Sequence, residues 1–329
     1  MIQGQAMHIL GIETSCDETA AAIVQDGRRI RSSIVSSSLK EHTRYGGIIP
    51  EIASRRQLEA INPVVRRAAQ EARCDLSRVN AIAVTKAPGL IGSLLVGLSF
   101  ARALSLALHK PLIEIDHVQA HLYAPLLNEA VKGKTPPPPA VLPAVGMIVS
   151  GGHTSLYLIK SWTHFKRLGK TRDDAAGEAF DKVARILNLG YPGGPVIDRM
   201  ARQASGHTPA FSCAEIPGTY DFSFSGIKTA VLYYQQKNKI QDSAHKAGIV
   251  RAFQESVVSI LVKKCIAACL DFRIRNLIIG GGVAANSRLR EVLEDAATSN
   301  SIKVYSPALS LCMDNAAMVA GLAYHWLKN

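Results

Sequence analysis

Two histidines four residues apart, His117 and His121 in His-Val-Gln-Ala-His, carry the plainest chemical signal in the chain. On a helix this spacing puts both imidazoles on one face, where they can share a metal ion. A zinc peptidase of the H-E-x-x-H type has a glutamate beside the first histidine as general base. Here that position is Val118, so a peptidase reading lacks its base. The plain alternative is a pair of surface or capping histidines. A third ligand must come from elsewhere, and Asp314, expected at the opening of the last helix, has suitable chemistry.

Four other segments could bind or move charge. Ser150-Gly151-Gly152-His153 sits between two strand-like runs, and its glycines let backbone N–H groups approach an anion. Read alone, it is also an ordinary hairpin turn. Gly280-Gly281-Gly282 leads from a buried strand into Val283-Ala284-Ala285-Asn286 and a helix, which suits a nucleotide at a helix N-terminus. It is neither a P-loop nor a G-x-G-x-x-G loop. Glu13 to Thr19 is a turn rich in acids and hydroxyls, able to position phosphate or a metal-bound water and also common as a plain surface turn; Asp17 or Glu18 within it is the candidate for proton handling. Asp173, Asp174, Glu178 and Asp181, followed by Gly193-Gly194 and Asp198, make a dense set of carboxylates in a basic protein. They could meet ribose hydroxyls. Asp173 and Asp174 also fit helix N-terminal acids that offset the macrodipole.

The elements that must hold these residues follow an α/β grammar. Met7 to Glu13, Thr19 to Gln25 and Arg29 to Ser38 read as strands, with Asp26-Gly27 as a hairpin turn. Ile48 to Arg73 reads as a helix broken at Pro63. A strand over 80–85, a helix, a strand over 111–115 and a helix from His117 follow. Pro136 to Pro139 marks a linker. Beyond it the pattern restarts with strands at 144–150 and 154–160. Helices are expected at 175–188, 196–205 and 245–271, then a strand at 276–279. A helix from Asn286, a strand at 302–305 and a helix from Met313 finish the chain. Both halves open strand–turn–strand and then alternate, which predicts two α/β lobes around a cleft. The expected division is 1–131, a linker at 132–143, and 144–329.

Composition narrows the class. The 329 residues carry 38 Lys+Arg against 26 Asp+Glu, a formal +12, and 47% are hydrophobic. That is a globular chain, long enough for two domains. The charge leans towards an anionic partner such as nucleic acid, a membrane surface or a phosphorylated ligand. The cations come in pairs, among them Arg28-Arg29, Arg55-Arg56, Arg66-Arg67 and Lys263-Lys264, which excludes a basic tail. Six cysteines without a C-x-x-C pair, and no secretory leader, point to free thiols in a reducing, cytoplasmic setting. The apolar stretch Ile91 to Leu108 contains Arg102 and small residues, and it reads as a buried helix instead of a membrane span. The six residues before Met7 look dispensable, with Met7 as an alternative start.

Taken together the motifs resemble one family. They are Gly11-Ile-Glu-Thr-Ser-Cys-Asp-Glu-Thr19, Tyr45-Gly-Gly-Ile-Ile-Pro-Glu-Ile-Ala-Ser-Arg55 and Pro88-Gly-Leu-Ile-Gly-Ser-Leu-Leu-Val-Gly97. His117-x₃-His121, Val149-Ser-Gly-Gly-His-Thr154 and Asp173-Asp-Ala-Ala-Gly-Glu-Ala-Phe-Asp-Lys182 follow. Tyr191-Pro-Gly-Gly-Pro195, Asp221-Phe-Ser-Phe-Ser-Gly-Ile-Lys-Thr229, Gly281-Gly-Val-Ala-Ala-Asn286 and Cys312-Met-Asp-Asn315 complete the set. Collinear from Met7 onwards, they resemble the tRNA threonylcarbamoyladenosine transferases (TsaD family), once catalogued as O-sialoglycoprotein endopeptidases. The resemblance implies an actin-like/Hsp70-like (ASKHA) fold with duplicated lobes. It implies transfer of threonylcarbamoyl from threonylcarbamoyl-adenylate to N6 of the adenosine 3′ of the anticodon, in tRNAs reading codons that start with A, with release of AMP. By motif, His117, His121 and Asp314 would hold one divalent metal, iron or else zinc. Ile148, Val149, Ser150, Gly151 and Gly152 would line the substrate turn. Asp181, Gly194, Asp198 and Asn286 would contact the adenylate. A TsaB-like ASKHA paralogue and a TsaE-like P-loop ATPase are the implied partners, with a homodimer as the other arrangement and no membrane. Ala87, Gln57 and Asp116 depart from the family pattern, where Gly, His and His are usual. The competing classes are an ATP-using ASKHA enzyme, a metallopeptidase and a non-catalytic scaffold.

Overall fold

The computed structural model describes residues 6–43, 45–129, 141–204, 208–238 and 242–327. Residues 132–140 of the expected linker, with its four consecutive prolines, lie outside them. The chain divides into two compact units, Met1–Ala140 with Pro307–Asn329, and Val141–Ser306. The chain's last stretch therefore joins the first unit, which differs from the expected division at 144.

In the first unit, β1 (His8–Glu13), β2 (Glu18–Gln25) and β3 (Arg29–Ser37) form an antiparallel meander. Asp26 and Gly27 both have positive φ, as the two-residue turn requires. Then come α1 (Leu39–Thr43), α2 (Pro50–Ala72), β4 (Ala81–Ala87), α3 (Ile91–Leu108), β5 (Leu112–Asp116), α4 (His117–Tyr123) and β6 (Asn128–Glu129). The sheet order is β5-β4-β1-β2-β3-β6, with β1, β4 and β5 parallel.

Both faces of this sheet are covered, which is why β1, β2 and β4 read as nearly unbroken apolar runs. On one face Leu10, Ile12, Ile23 and Val84 pack with Ile61, Val64 and Val65 of α2. On the other lies the chain's last helix. A Cβ at Gly11 would overlap the Ala316 carbonyl, so only glycine lets that helix seat on β1.

The second unit repeats the plan. β7 (Ala144–Val149), β8 (Thr154–Ser161) and β9 (His164–Lys170) form a second meander. They are followed by α5 (Ala176–Ile186), α6 (Gly193–Arg202), α7 (Ser225–Lys237), α8 (Ser243–Asp271), β10 (Asn276–Gly280), α9 (Ser287–Ser299) and β11 (Lys303–Tyr305). The order β11-β10-β7-β8-β9 matches β5-β4-β1-β2-β3 strand for strand. Phe180, Phe222, Phe224 and Phe253 anchor its core. α10 (Ala316–Leu327) then returns to the first unit.

Three local expectations change. α2 runs straight through Pro63. Pro63 and Glu59 are exposed, so the carbonyl released by the missing N–H faces water and the helix tolerates the loss. α6 starts at Gly193, three residues before its expected start, while α7 and β9 were not foreseen. α3 is not a buried helix: 22% of it is buried, and Ile91, Leu95 and Leu106 are 79%, 58% and 76% exposed. It is long and apolar enough to cross a membrane by length and composition. Arg102 at mid-helix is paired with Glu114.

Candidate active site

In the first unit the chemistry gathers at the carboxyl ends of the parallel strands, where open α/β sheets place their ligands. β5 ends at Asp116 and α4 begins at His117. Asp116, one of the departures from the family pattern, is the N-cap: its carboxylate accepts from the Gln119 N–H at 2.9 Å. The substitution thus supports the helix that carries both histidines. The His117 and His121 rings meet edge to face, with centroids 4.7 Å apart. Asp314 reaches them from the segment before α10, where Asn315 caps the helix by accepting from the Met318 N–H. Asp314 therefore precedes the last helix instead of opening it.

The three side chains converge. Asp314 Oδ1 lies 3.0 Å from His121 Nε2 and 3.6 Å from His117 Nε2. All three donor atoms lie within 4.8 Å of one another. Bonds of about 2.0–2.2 Å put neighbouring ligand atoms roughly 3–3.6 Å apart, so two of the three separations already suit one ion. The donor set, two imidazole nitrogens and a carboxylate, suits a divalent transition metal.

Behind it, Glu13 Oε2 stands 3.0 Å from His117 Nδ1 and accepts from Thr85 Oγ1, while Glu13 Oε1 accepts from the Ser15 N–H. This buried carboxylate fixes the His117 tautomer and aims Nε2 at the site. Burial opposes charge on both partners. Mutual attraction outweighs it: His117 is pushed up to about 9 by Glu13 and Asp314, and Glu13 stays below its usual range.

The Thr14–Glu18 turn is clasped by Gln57, the second departure. Its buried amide donates to the carbonyls of Thr14, Cys16 and Glu18 at 3.3, 3.0 and 3.0 Å. Gln57→Leu should lower the unfolding free energy by about 2 kcal/mol, because buried carbonyls lose their donors. Urea titration checks this, and an unchanged midpoint would remove the clasp. Ala87, the third departure, sits at the exposed end of β4 opposite Asp116.

Within the turn, Asp17 is buried and Glu18 half-buried. Burial, then the Asp314 and Asp17 carboxylates, push Glu18 up to about 9, and its side chain hydrogen-bonds Asp17. Glu18 is thus protonated at neutral pH and is the donor in that hydrogen bond. Burial and the same acids push the Cys16 thiol far up, which removes it as a thiolate. A cavity of about 450 Å³ opens beside Glu18 and Asp314, walled by Ile30, Val35, Leu311 and Met313.

In the second unit the substrate candidates lie at the carboxyl ends of β7 and β10. Ser150 to His153 closes as a tight turn: the Ser150 N–H donates to the His153 carbonyl at 2.8 Å, so that group is already used. The Gly151 and Gly152 N–H groups have no acceptor among the described residues, and both glycines are exposed. Ile148 and Val149 are buried in β7. Gly281 crosses directly over Val149 with φ +91°, where a side chain would strike the Val149 carbonyl.

Asp181 accepts from the Gly193 N–H at 2.7 Å and so holds the start of α6, while Gly194 next to it faces open space. Burial pushes the Asp181 carboxyl up. Asp198 accepts from Ser287 Oγ at 2.8 Å and from Arg202 at 2.7 Å. Asn286 caps α9 through the Leu289 N–H at 2.9 Å and donates to Gln254 at 2.8 Å. The structure therefore sets Asp181 of α5 against the start of α6, where Gly194 lies, and Asp198 of α6 against the start of α9, which Asn286 caps, so these residues also perform local work.

Asp173 serves another element than the helix it precedes, and Asp174 ties that helix to α7. Asp173 accepts from the Phe224 N–H at 2.8 Å and from Ser223 Oγ, at the head of α7. Asp174 bridges Lys182 and Lys228 at 2.7 and 2.8 Å. Burial opposes ionisation of Asp174, but hydrogen bonds from Lys182 and Lys228 hold it below its ordinary range. Its contribution is therefore present at neutral pH and fades as pH falls through that lowered value. Asp174→Asn should cost about 1.5 kcal/mol near pH 7 and nothing once the native carboxyl is protonated. Urea unfolding at neutral and acid pH tests this; a gap independent of pH would disprove it.

Sequence reasoning missed Glu13 as the partner of His117, which lies over a hundred positions away. The only available signal was an acid ending a buried strand. Gln57 was noticed as a departure, and its clasp was not foreseen.

Two α/β units of matching strand order define an actin-like/Hsp70-like (ASKHA) fold, and its first unit carries a His-His-Asp group that could hold a metal ion. Solved structures share the fold. The HypF of T. kodakarensis aligns over 98% of this chain and 48% of its own, with a TM-score of 0.66 at 11% identity. A full-length HypF in phosphate- and nucleotide-bound form gives a TM-score of 0.62 at 13% identity, over 98% of this chain and 56% of its own. Sequence is far more specific. The profile of the tRNA N6-adenosine threonylcarbamoyltransferases (TsaD) matches residues 29–321. The enzyme of that name from Symbiobacterium thermophilum is 48% identical over 96% of this chain and 91% of its own length. That from Nostoc punctiforme is 48% identical over 98% and 91%. The chain belongs to the tRNA N6-adenosine threonylcarbamoyltransferase family. Its activity is transfer of the threonylcarbamoyl group from threonylcarbamoyl-adenylate to N6 of adenosine in tRNA, forming t6A and releasing AMP.

Proposed function

We propose that the first unit carries the metal and proton-handling groups of this reaction and the second unit the adenylate-binding groups. The convergence of His117, His121 and Asp314, backed by Glu13, carries the reading. Those three residues hold one divalent ion, iron by family likeness and zinc as the alternative. When bound, the ion supplies Lewis acidity and a fixed point for the threonyl moiety. The cavity beside Asp314 and Glu18 gives that moiety room.

The remaining work falls to the chain's own groups. The adenosine N6 attacks the carbamoyl carbon of the mixed anhydride, the C–O bond to phosphate breaks, and AMP leaves with that electron pair. Asp17 takes the N6 proton, and Glu18, protonated beside it, keeps Asp17 oriented. The free Gly151 and Gly152 N–H groups meet the phosphate or the developing oxyanion. Ile148, Val149 and Ser150 shape that turn. Gly194, open above the start of α6, lets the adenylate approach Asp181, Asp198 and Asn286.

The exposed apolar face of α3, with Leu58 of α2 beside it, supports docking of a TsaB-like ASKHA paralogue. A TsaE-like P-loop ATPase completes the cytoplasmic assembly, and a homodimer is the second arrangement. Incubation with threonylcarbamoyl-adenylate and unmodified tRNA, with and without these partners, tests the assignment. Digestion should release the modified nucleoside. Hydrolysis of ATP without tRNA, and no modified nucleoside, would favour a regulatory ATPase instead.

A further inference from the structure

Charge in this chain is uneven in a way the total hides. Between Glu129 and Asp173 the sequence has no acidic residue but seven lysines and arginines. Five of them fall between Lys160 and Arg172, on the β8–β9 hairpin and just past its end.

Adjacent cation pairs elsewhere are largely neutralised. Arg55 meets Glu51, Arg56 meets Glu41 and Glu59, Arg67 meets Glu71, and Lys263 meets Glu215. On β9, Lys166, Arg167 and Lys170 are exposed, and their side chains form no ion pair among the described residues. β9 is the last strand of its sheet, with β8 as its ladder partner; at its far end the Lys170 N–H donates to Asp221 Oδ1 and the Lys170 carbonyl accepts from the Phe222 N–H, so residues 221–222 cover that end and the uncovered edge runs from His164 to Leu168. At the hairpin tip Trp162 and Phe165 stand half-buried, ring centroids 6.2 Å apart. The row leads somewhere. β8 leaves the Ser150–His153 turn at Thr154, and β9 returns to the same end, where the Thr171 N–H donates to the Thr154 carbonyl at 2.8 Å. Seven extended residues span about 20 Å, enough for several phosphates of an RNA strand.

We propose that the outer edge of β9 tracks the tRNA backbone, with Lys166, Arg167 and Lys170 on phosphates and Trp162 and Phe165 offering faces to an unstacked base. The inference rests on tRNA being the substrate and deepens that reading by giving it a surface. Edge strands also carry lysine to block sheet-to-sheet pairing. That purpose needs neither the arginine, nor the aromatics, nor a row that ends at the substrate turn.

The test uses the full chain and unmodified tRNA without adenylate, so it is independent of the metal and proton assignments. Anisotropy titrations across KCl concentrations compare the wild type with the triple variant Lys166→Gln, Arg167→Gln, Lys170→Gln. The slope of log K against log salt should shrink by about 2 to 3, at roughly 0.7–0.9 per phosphate contact. In turnover, KM for tRNA rises while kcat holds. Trp162→Ala should weaken binding about 10-fold with the slope unchanged, since stacking releases no counterions. Unchanged affinity and slope in the triple variant overturn the proposal. So does new light scattering with intact tRNA binding, which would assign the cations to edge protection alone.

Discussion

His117→Ala should leave the protein folded, lower its metal content and abolish t6A formation. One of three protein ligands disappears, and Asp314 then faces a single imidazole. Outer partners of metal ligands typically matter about 10–100-fold in affinity, so a direct ligand should cost at least about 100-fold. Glu13→Gln supplies the graded control. An amide cannot accept from Ser15, Thr85 and His117 as the carboxylate does, so its loss should fall within that 10–100-fold range. Elemental analysis and thermal stabilisation by added metal read both variants without relying on turnover. Stoichiometric metal in the His117→Ala protein would remove the centre from the assignment.

The second large effect is expected at Asp17. Asp17→Asn keeps the side chain's shape and removes its ability to take a proton. The rate should fall about 10²–10⁴-fold, the usual worth of a positioned general base. Binding of tRNA should not change. Glu18→Gln should be mild, because its amide donates to Asp17 as the protonated carboxyl does. Glu18→Ala removes that donor and should be worse. If Asp17→Asn turns over normally while Glu18→Gln fails, the roles are reversed. Single-turnover measurements with preformed adenylate separate this step from binding.

The repeated strand–turn–strand opening was legible because β1, β2 and β7 are short apolar runs bounded by turn residues. Asp26-Gly27 adopted the turn its chemistry demanded. The His117/His121 pair was legible because helix periodicity converts spacing into a shared face. Glu13 was not, since nothing local marks which distant nitrogen a strand-end acid will meet. β9 escaped because register shifts against β8 break its alternation. α3 misled because apolar composition does not say what covers a face. Its exposed leucines and isoleucine have no cover within the described chain. Asp173 and Asp174 sit where helix-dipole acids belong, yet tertiary partners claimed both.

The placement of α10 has a consequence for synthesis. Chains emerge from the ribosome at about 5–20 residues per second, and domains generally fold as they complete. The second unit is whole once residue 306 is clear, whereas the first must wait for its closing helix and for Asp314. The nascent chain can thus form the glycine turns of the second unit before Asp314 joins His117 and His121. A chain released before Asp314 would lack the third member of the His-His-Asp group, so under the proposed assignment a loaded metal marks a chain whose synthesis has passed that residue.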